Sequence, residues 1–285
     1  MRRWAFLATP RWVGYISLAV VFAIACSFLG GWQFQRRAEA REAIAIIEAN
    51  YDRPAAPLGE VLPALDGYRP DQKWTPVALQ GQYLSEAEML VRNRPLNGQP
   101  GYEVLTPFLV DSGEIFIVDR GWLPIGTDQG VPDEVPVAPS GRVEVIARLK
   151  AGEPVLPNRT APAGTNQIPT INLPQIAARL DNPTYTGAYG LIVSQTPAPE
   201  TTPVITKKPT LDEGPHLSYA LQWYVFALIG FIGLGWAIRE EYRRIHASDP
   251  EEMRRANERD VRLRARAPSD ADEEDELLDA ANTGS

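Results

Sequence analysis

The chain has one cysteine, Cys26, and only two histidines, His216 and His246. A single thiol forms neither an intrachain disulfide nor a CxxC redox pair, and such counts exclude most intrachain transition-metal sites. A basic excess is also missing. The net charge of −8 argues against nucleic acid as a partner, although much of that acidity sits near the C-terminus, from Asp270 to Asp279. The sequence contains no G-x-S-x-G, H-E-x-x-H or G-x-x-x-x-G-K-[ST] segment. Glu86 and Glu88 read as solvated carboxylates on a turn rather than an acid–base pair. These absences point away from an enzyme.

Long apolar runs are present, in two places. Residues 13–34 carry no charge and suffice to cross the ~30 Å hydrocarbon core as a helix. Trp12 and Trp32 bracket this run at the positions of an interfacial aromatic belt. It is longer than the apolar region of a cleaved signal peptide, so a retained anchor is expected. The second run, 218–238, is uncharged as well, with Gln222 as its one strongly polar interior residue. Two spans place both termini on the same side. The arginines of the terminal flanks (Arg2, Arg3, Arg11, Arg239, Arg243, Arg244) favour the cytoplasm for that side. Antiparallel packing then sets Gly30, Gly31, Trp32 and Gln33 level with His216, Tyr219 and Ala220. Ala23, Ser27 and Gly31 on one helix, and Gly230, Gly233 and Ala237 on the other, form small-residue stripes that permit close approach. Such stripes serve pairing with each other or with helices of a partner protein.

Between the spans the pattern changes. Residues 36–48 continue the first helix, rich in Ala, Glu and Arg, and the proline-laden stretch 53–70 reads as a connector. Strands are expected at 74–83, 88–94, 101–110, 114–121, 142–150 and 189–195, with a short helix at 174–180. Asp111-Ser112-Gly113 marks a hairpin between two of them. Segments 131–140 and 151–164 are Pro- and Gly-rich loops, and 196–209 is a return segment. Residues beyond Ile245 are arginine-rich, then acidic, a composition that does not offset its ordering entropy; a disordered tail is expected. The expected fold is membrane α+β. Its parts are a short N-terminus (1–12), a span (13–34), a mainly antiparallel β domain outside the cytoplasm (35–215), a second span (216–238) and a charged cytoplasmic tail (239–285). The β domain reads as a sandwich or small barrel.

Three segments exceed what architecture alone requires. In Gly30-Gly-Trp-Gln-Phe-Gln-Arg-Arg37 an aromatic belt with positive anchors accounts for Trp32 and Arg36, but not for Gln33. In Val118-Asp-Arg-Gly-Trp-Leu-Pro124 the adjacent Asp119 and Arg120, followed by Gly121 and Trp122, suit a strand-end turn that exposes an aromatic contact. In His216-Leu-Ser-Tyr-Ala-Leu-Gln-Trp223 the histidine stands at the mouth of a span, with Tyr219, Ala220 and Trp223 below it. A histidine so placed is either an interfacial polar residue or an axial ligand to haem. His246 lies past the other end of that span, over ~30 Å away at 1.5 Å per residue, so one chain does not supply two axial histidines.

These segments, with Gly101-Tyr-Glu-Val-Leu-Thr-Pro107 and in this order within a two-span frame, closely resemble the Surfeit-locus cytochrome oxidase assembly family over residues 29–238. The resemblance implies a non-enzymatic factor that aids haem a insertion into the catalytic subunit of haem-copper cytochrome c oxidase, with His216 as the candidate haem ligand. It further implies residence in the mitochondrial inner membrane or the bacterial plasma membrane, with membrane lipid as surroundings, and the absence of an Arg/Ser-rich presequence favours the bacterial one. A haem a synthase is a second implied partner, and copper is not an implied cargo, since the only thiol lies in a span. Contact candidates are Trp32, Gln33, Arg36, Tyr102, Asp119, Arg120, Gly121, Trp122, Tyr219, Gln222 and Trp223. A structural accessory subunit of a terminal oxidase and an extracytoplasmic sensor are the alternatives. The membrane–domain junction is the expected working surface.

Overall fold

The computed structural model describes residues 4–127, 130–246 and 250–264. The chain divides into two units, Met1–Arg37 with Pro215–Ser285, and Ala38–Gly214.

The first unit is built on two long helices. Helix α1 (Pro10–Asn50) begins with proline, whose missing N–H costs nothing in a first turn, and runs on past Arg37 into the other unit. Helix α4 (His216–Ile245) closes with Arg243 and Arg244, cations that suit the negative end of a helix dipole. Both are long and apolar enough to cross a membrane. Their more buried positions recur at alternating spacings of three and four: Trp12, Ile16, Ala19, Ala23, Cys26, Gly30 and Gln33 on α1, and His216, Ala220, Trp223, Ala227 and Gly230 on α4. That is the seam of a two-helix pair. Cys26 and Ala220 are buried in it. The expected stripes are correct only in part. Ala23, Gly230 and Ala237 lie on the protected faces, whereas Ser27, Gly31 and Gly233 are exposed, because a strict four-residue step drifts off a seam whose mean step is 3.5. Ala220→Leu is expected to overpack the pair and cost about 1–3 kcal/mol, while Leu221→Ala, on the exposed face, leaves it intact. Thermal unfolding of the two variants in detergent distinguishes them.

The second unit contains β1 (Ala56–Pro57), α2 (Leu58–Val61), β2 (Pro76–Tyr83), β3 (Met89–Val91), β4 (Gly101–Val110), β5 (Ile115–Pro124), β6 (Val143–Ala151), β7 (Gln167–Ile168), α3 (Leu173–Ala177) and β8 (Ala188–Thr196). Five of these strands close a barrel, because β2 pairs β6 along one edge and reaches β4 along the other at Gly81, Gln82 and Tyr83. Numbered within the barrel, the strands follow the order 1-2-3-5-4 and return to 1, the connectivity of an OB-type Greek key. Of the two expected architectures, sandwich and small barrel, the barrel is the one found.

Alternation decides which side chains fill it. Val143, Val145, Ala147 and Leu149 of β6 point inward, with Val77 and Leu79 of β2, Phe108 of β4, Phe116 and Val118 of β5, and Ile192 of β8. A second cluster covers the opposite face of β4, β5 and β8. Ile115, Ile117, Tyr189 and Leu191 pack there against Ile47 and Tyr51 from the end of α1 and Leu173 and Ile176 of α3. Strands β5 and β8 therefore bury apolar side chains on both faces.

Several expectations need correction. The connector 53–70 contributes Leu58 and Leu62 to the barrel core, two apolar residues spaced for one helical turn among prolines. The sheet is mainly antiparallel, as expected, with β1–β2, β3–β7 and β5–β8 as parallel pairs within it. The tail, expected to be disordered, forms helix α5 (Pro250–Arg264), in which Glu258 pairs with Arg254 one turn away. The acidic stretch beyond it lies outside the described residues.

Candidate functional site

Two groups of polar side chains stand out, one in each unit.

In the helix pair, antiparallel packing brings the start of α4 beside residue 33 of α1. The His216 imidazole donates from Nδ1 to Gln33 Oε1 at 2.9 Å. An amide oxygen only accepts, so Nδ1 carries the proton, and Nε2 of the neutral ring keeps its lone pair. Gln33, which an aromatic belt left unexplained, orients a histidine. Gly30 lies one turn away on the same face, where a Cβ would approach the Tyr224 ring to 2.7 Å. Trp223 is half-buried on the seam and meets Phe226 edge to face at 5.9 Å. Tyr219, Gln222 and Arg36 are exposed, so Tyr219 does not share the buried face with Ala220 and Trp223. Trp32 is 55 % exposed and lies along an open groove with Ala23, Ser27, Gly31 and Phe231. His246 donates instead to Tyr242 O of its own helix and stacks on that ring.

In the barrel unit, the segment Asp119 to Trp122 lies inside β5 rather than at a turn. Successive strand residues face opposite ways, so the charged neighbours separate and each is 1 % exposed. Arg120 shares the face of Phe116 and Val118. It donates from Nη1 to Glu88 Oε2 at 3.0 Å, and the Thr106 hydroxyl donates to the same oxygen at 2.9 Å. The Tyr83 ring centroid is 5.7 Å from the guanidinium. Glu86 is exposed as expected, but Glu88 is half-buried, next to β3, whose residues are all buried.

Asp119 faces the other way, into a group of charges. Its Oδ1 accepts from Gly121 N at 2.9 Å, and among the described residues Oδ2 has no hydrogen-bond partner. Burial, and next the negative charge of Glu103, push the Asp119 carboxyl up to about 7. Burial also raises Glu103, against the pull of Arg94, which approaches it at 3.0 Å. Glu153 goes the other way. Burial opposes its charge, but Arg94, Ile171 N–H and the Thr170 hydroxyl outweigh that and hold it at about 2.

Gly121 and Trp122 fasten the return segment to β5. Trp122 exchanges both backbone hydrogen bonds with Val204, at 2.9 and 2.8 Å, and its indole donates to Arg94 O at 2.6 Å. Gly121 has φ +126°, and a Cβ there would come within 2.7 Å of Val204 O, so only glycine admits this approach. The half-buried indole therefore clamps β5 to the backbone at Arg94. Tyr102 is buried and donates to Gly130 O at 2.8 Å.

A family model described as the SURF1 family matches residues 20–228. The chain belongs to the SURF1 family. An uncharacterized SURF1-like protein of Mycobacterium tuberculosis strain H37Rv is 34 % identical over 246 residues, covering 85 % of this chain and 89 % of that protein. The cytochrome oxidase assembly protein SHY1 of Saccharomyces cerevisiae is 33 % identical over 125 residues, covering 41 % of this chain and 30 % of that one. A SURF1-like protein of Rickettsia felis is 30 % identical over 105 residues, covering 36 % and 43 %. The span matched by the family model takes in both polar groups, from Gln33 to His216, and leaves out α5.

Among the sequence candidates, Gln33 with His216, and Asp119 to Trp122, take part in specific contacts. Sequence reading missed Glu88, Arg94, Glu103 and Glu153. Period-two alternation carries the signal for Glu88 and Glu103, since each occupies a strand or strand-flanking position beside buried apolar neighbours. Arg94 and Glu153 come together only through folding of distant loops and show no local signal.

Proposed function

We propose that this SURF1-family chain is a non-enzymatic assembly factor for haem-copper cytochrome c oxidase, and that it carries haem a as cargo on His216 for the catalytic subunit. The observation that supports this most is the Gln33–His216 pair. Iron-ligating imidazoles characteristically donate their other ring N–H to a fixed acceptor, which sets the tautomer and raises the basicity of the ligating nitrogen. Gln33 Oε1 meets that requirement, and Nε2 is the atom left to ligate. Both apolar helices are read as spans, with the termini in the cytoplasm of a bacterial cell and the barrel outside. The likeness to a yeast protein named for cytochrome oxidase assembly supports the choice of client. A haem a synthase is the natural donor. Copper is not proposed as cargo, since Cys26 is enclosed in the helix seam.

The test is a spectrum of the full chain purified after co-expression with a haem a synthase. Wild type is expected to retain haem a, His216→Ala to lose it, and Gln33→Leu to bind about tenfold more weakly or worse. Equal haem a content in wild type and His216→Ala sinks the ligand role.

A further inference from the structure

The return segment 196–209 roofs a cavity of about 200 Å³ beside β5 and β8. Its wall includes Ile192, Ser194, Gln195, Pro203 and Ile205, and among the described residues Arg120 is the one charged side chain in it. Arg120 is 1 % exposed, yet among the described residues only Nη1 is satisfied, by Glu88, and Nε and Nη2 find no hydrogen-bond partner. Leaving a buried donor unpaired is costly, and more so when it belongs to a charged group. Nε–H and Nη2–H form one edge of the guanidinium, the parallel fork that accepts a carboxylate with two hydrogen bonds. The rest of the setting is rigid. Tyr83 lies against the guanidinium and donates to Gln195 Oε1 at 2.7 Å, so both residues are held in place before any ligand arrives.

We propose that this cavity is a binding site for a small organic carboxylate. The acid group sits on the Nε/Nη2 edge of Arg120, and a short apolar body lies against Ile192, Pro203 and Ile205. Isoleucine and proline surfaces offer a fully hydrated inorganic anion nothing, whereas they favour methylenes. The volume corresponds to roughly seven waters at ~30 Å³ each, room for an acid and a few carbons. The return segment is the route of access: Ser194, Ala198 and Thr202 are exposed at the rim, while Arg120 lies at the base. No residue of the helix pair takes part, so this inference stands or falls separately from haem binding.

The experiment titrates sodium hexanoate into the full chain in detergent, following heat of binding and thermal unfolding, beside 1-hexanol and inorganic phosphate. Hexanoate is expected to bind and raise the unfolding temperature, and the other two to do neither. Arg120→Lys removes the fork and should weaken hexanoate about tenfold or more. Ile205→Trp fills the cavity from a part-exposed position that folding tolerates, so it should abolish binding even if the lysine variant folds poorly. A response to hexanol or phosphate equal to that for hexanoate overturns the assignment. So does hexanoate binding that survives Ile205→Trp, or its absence in wild type.

Discussion

Gly81→Val is expected to prevent the barrel from closing and to lower stability by about 3–5 kcal/mol. Gly81 lies where β2 crosses from β6 to β4, opposite Val110. A Cβ built there would lie 2.0 Å from Leu109 O, 2.9 Å from Leu109 C and 3.0 Å from the Phe108 ring. The nearest obstacle is backbone, so no rotamer change relieves it. β2 must instead part from β4, with loss of the contact that turns a sheet into a barrel. Such a loss corresponds to a fall in unfolding temperature of about 10 °C for a domain of this size. Gly59→Ala is the control, because none of the described residues comes within 4 Å of a Cβ at that position in α2. Thermal unfolding of both variants in detergent settles the matter, and equal midpoints contradict the assigned closure.

The second large effect depends on pH. In the folded chain the Asp119 carboxyl is raised from 3.8 to about 7. Between those values the native state therefore holds a proton that the unfolded chain has released. The stabilisation is complete below about 4, declines as pH rises and is gone once pH passes about 7. A tenfold change in proton affinity is worth ~1.4 kcal/mol, so the full swing is roughly 4 kcal/mol. Asp119→Asn keeps an oxygen for Gly121 N–H and removes the titration. Its stability relative to wild type should climb from pH 4 to pH 7 and then level off. Taking the difference cancels the opposite slope of Glu153, whose lowered carboxyl stabilises the fold as pH rises through 2 to 4.5. Denaturant unfolding of both chains across that range gives the comparison; a flat difference means that Asp119 is ionised in the fold throughout.

Much of this architecture is legible in the amino-acid sequence, for physical reasons that differ by element. The hairpin of β4 and β5 is written locally, in two alternating runs around Asp111-Ser112-Gly113. The meeting of Gln33 with His216 follows from two apolar runs that must lie antiparallel. Barrel closure is not local. It rests on Gly81 meeting Leu109, and on β8 joining β5 in parallel at Val118 and Asp119, pairings that no window of sequence contains. The reading of Asp119 and Arg120 as a turn fails because charge suggested exposure, whereas their strand position sends them to opposite buried faces. Leu58 and Leu62 were hidden by the prolines around them, which break the periodicity that usually reveals a core helix.

The proposed service to cytochrome oxidase through His216 is tested most directly by the haem a absorbance of membranes from a strain lacking the gene. Deletion is expected to lower that absorbance with oxidase transcripts unchanged, wild-type chain to restore it, and His216→Ala, present at equal abundance, to fail. Normal oxidase content in the deletion strain would contradict the account.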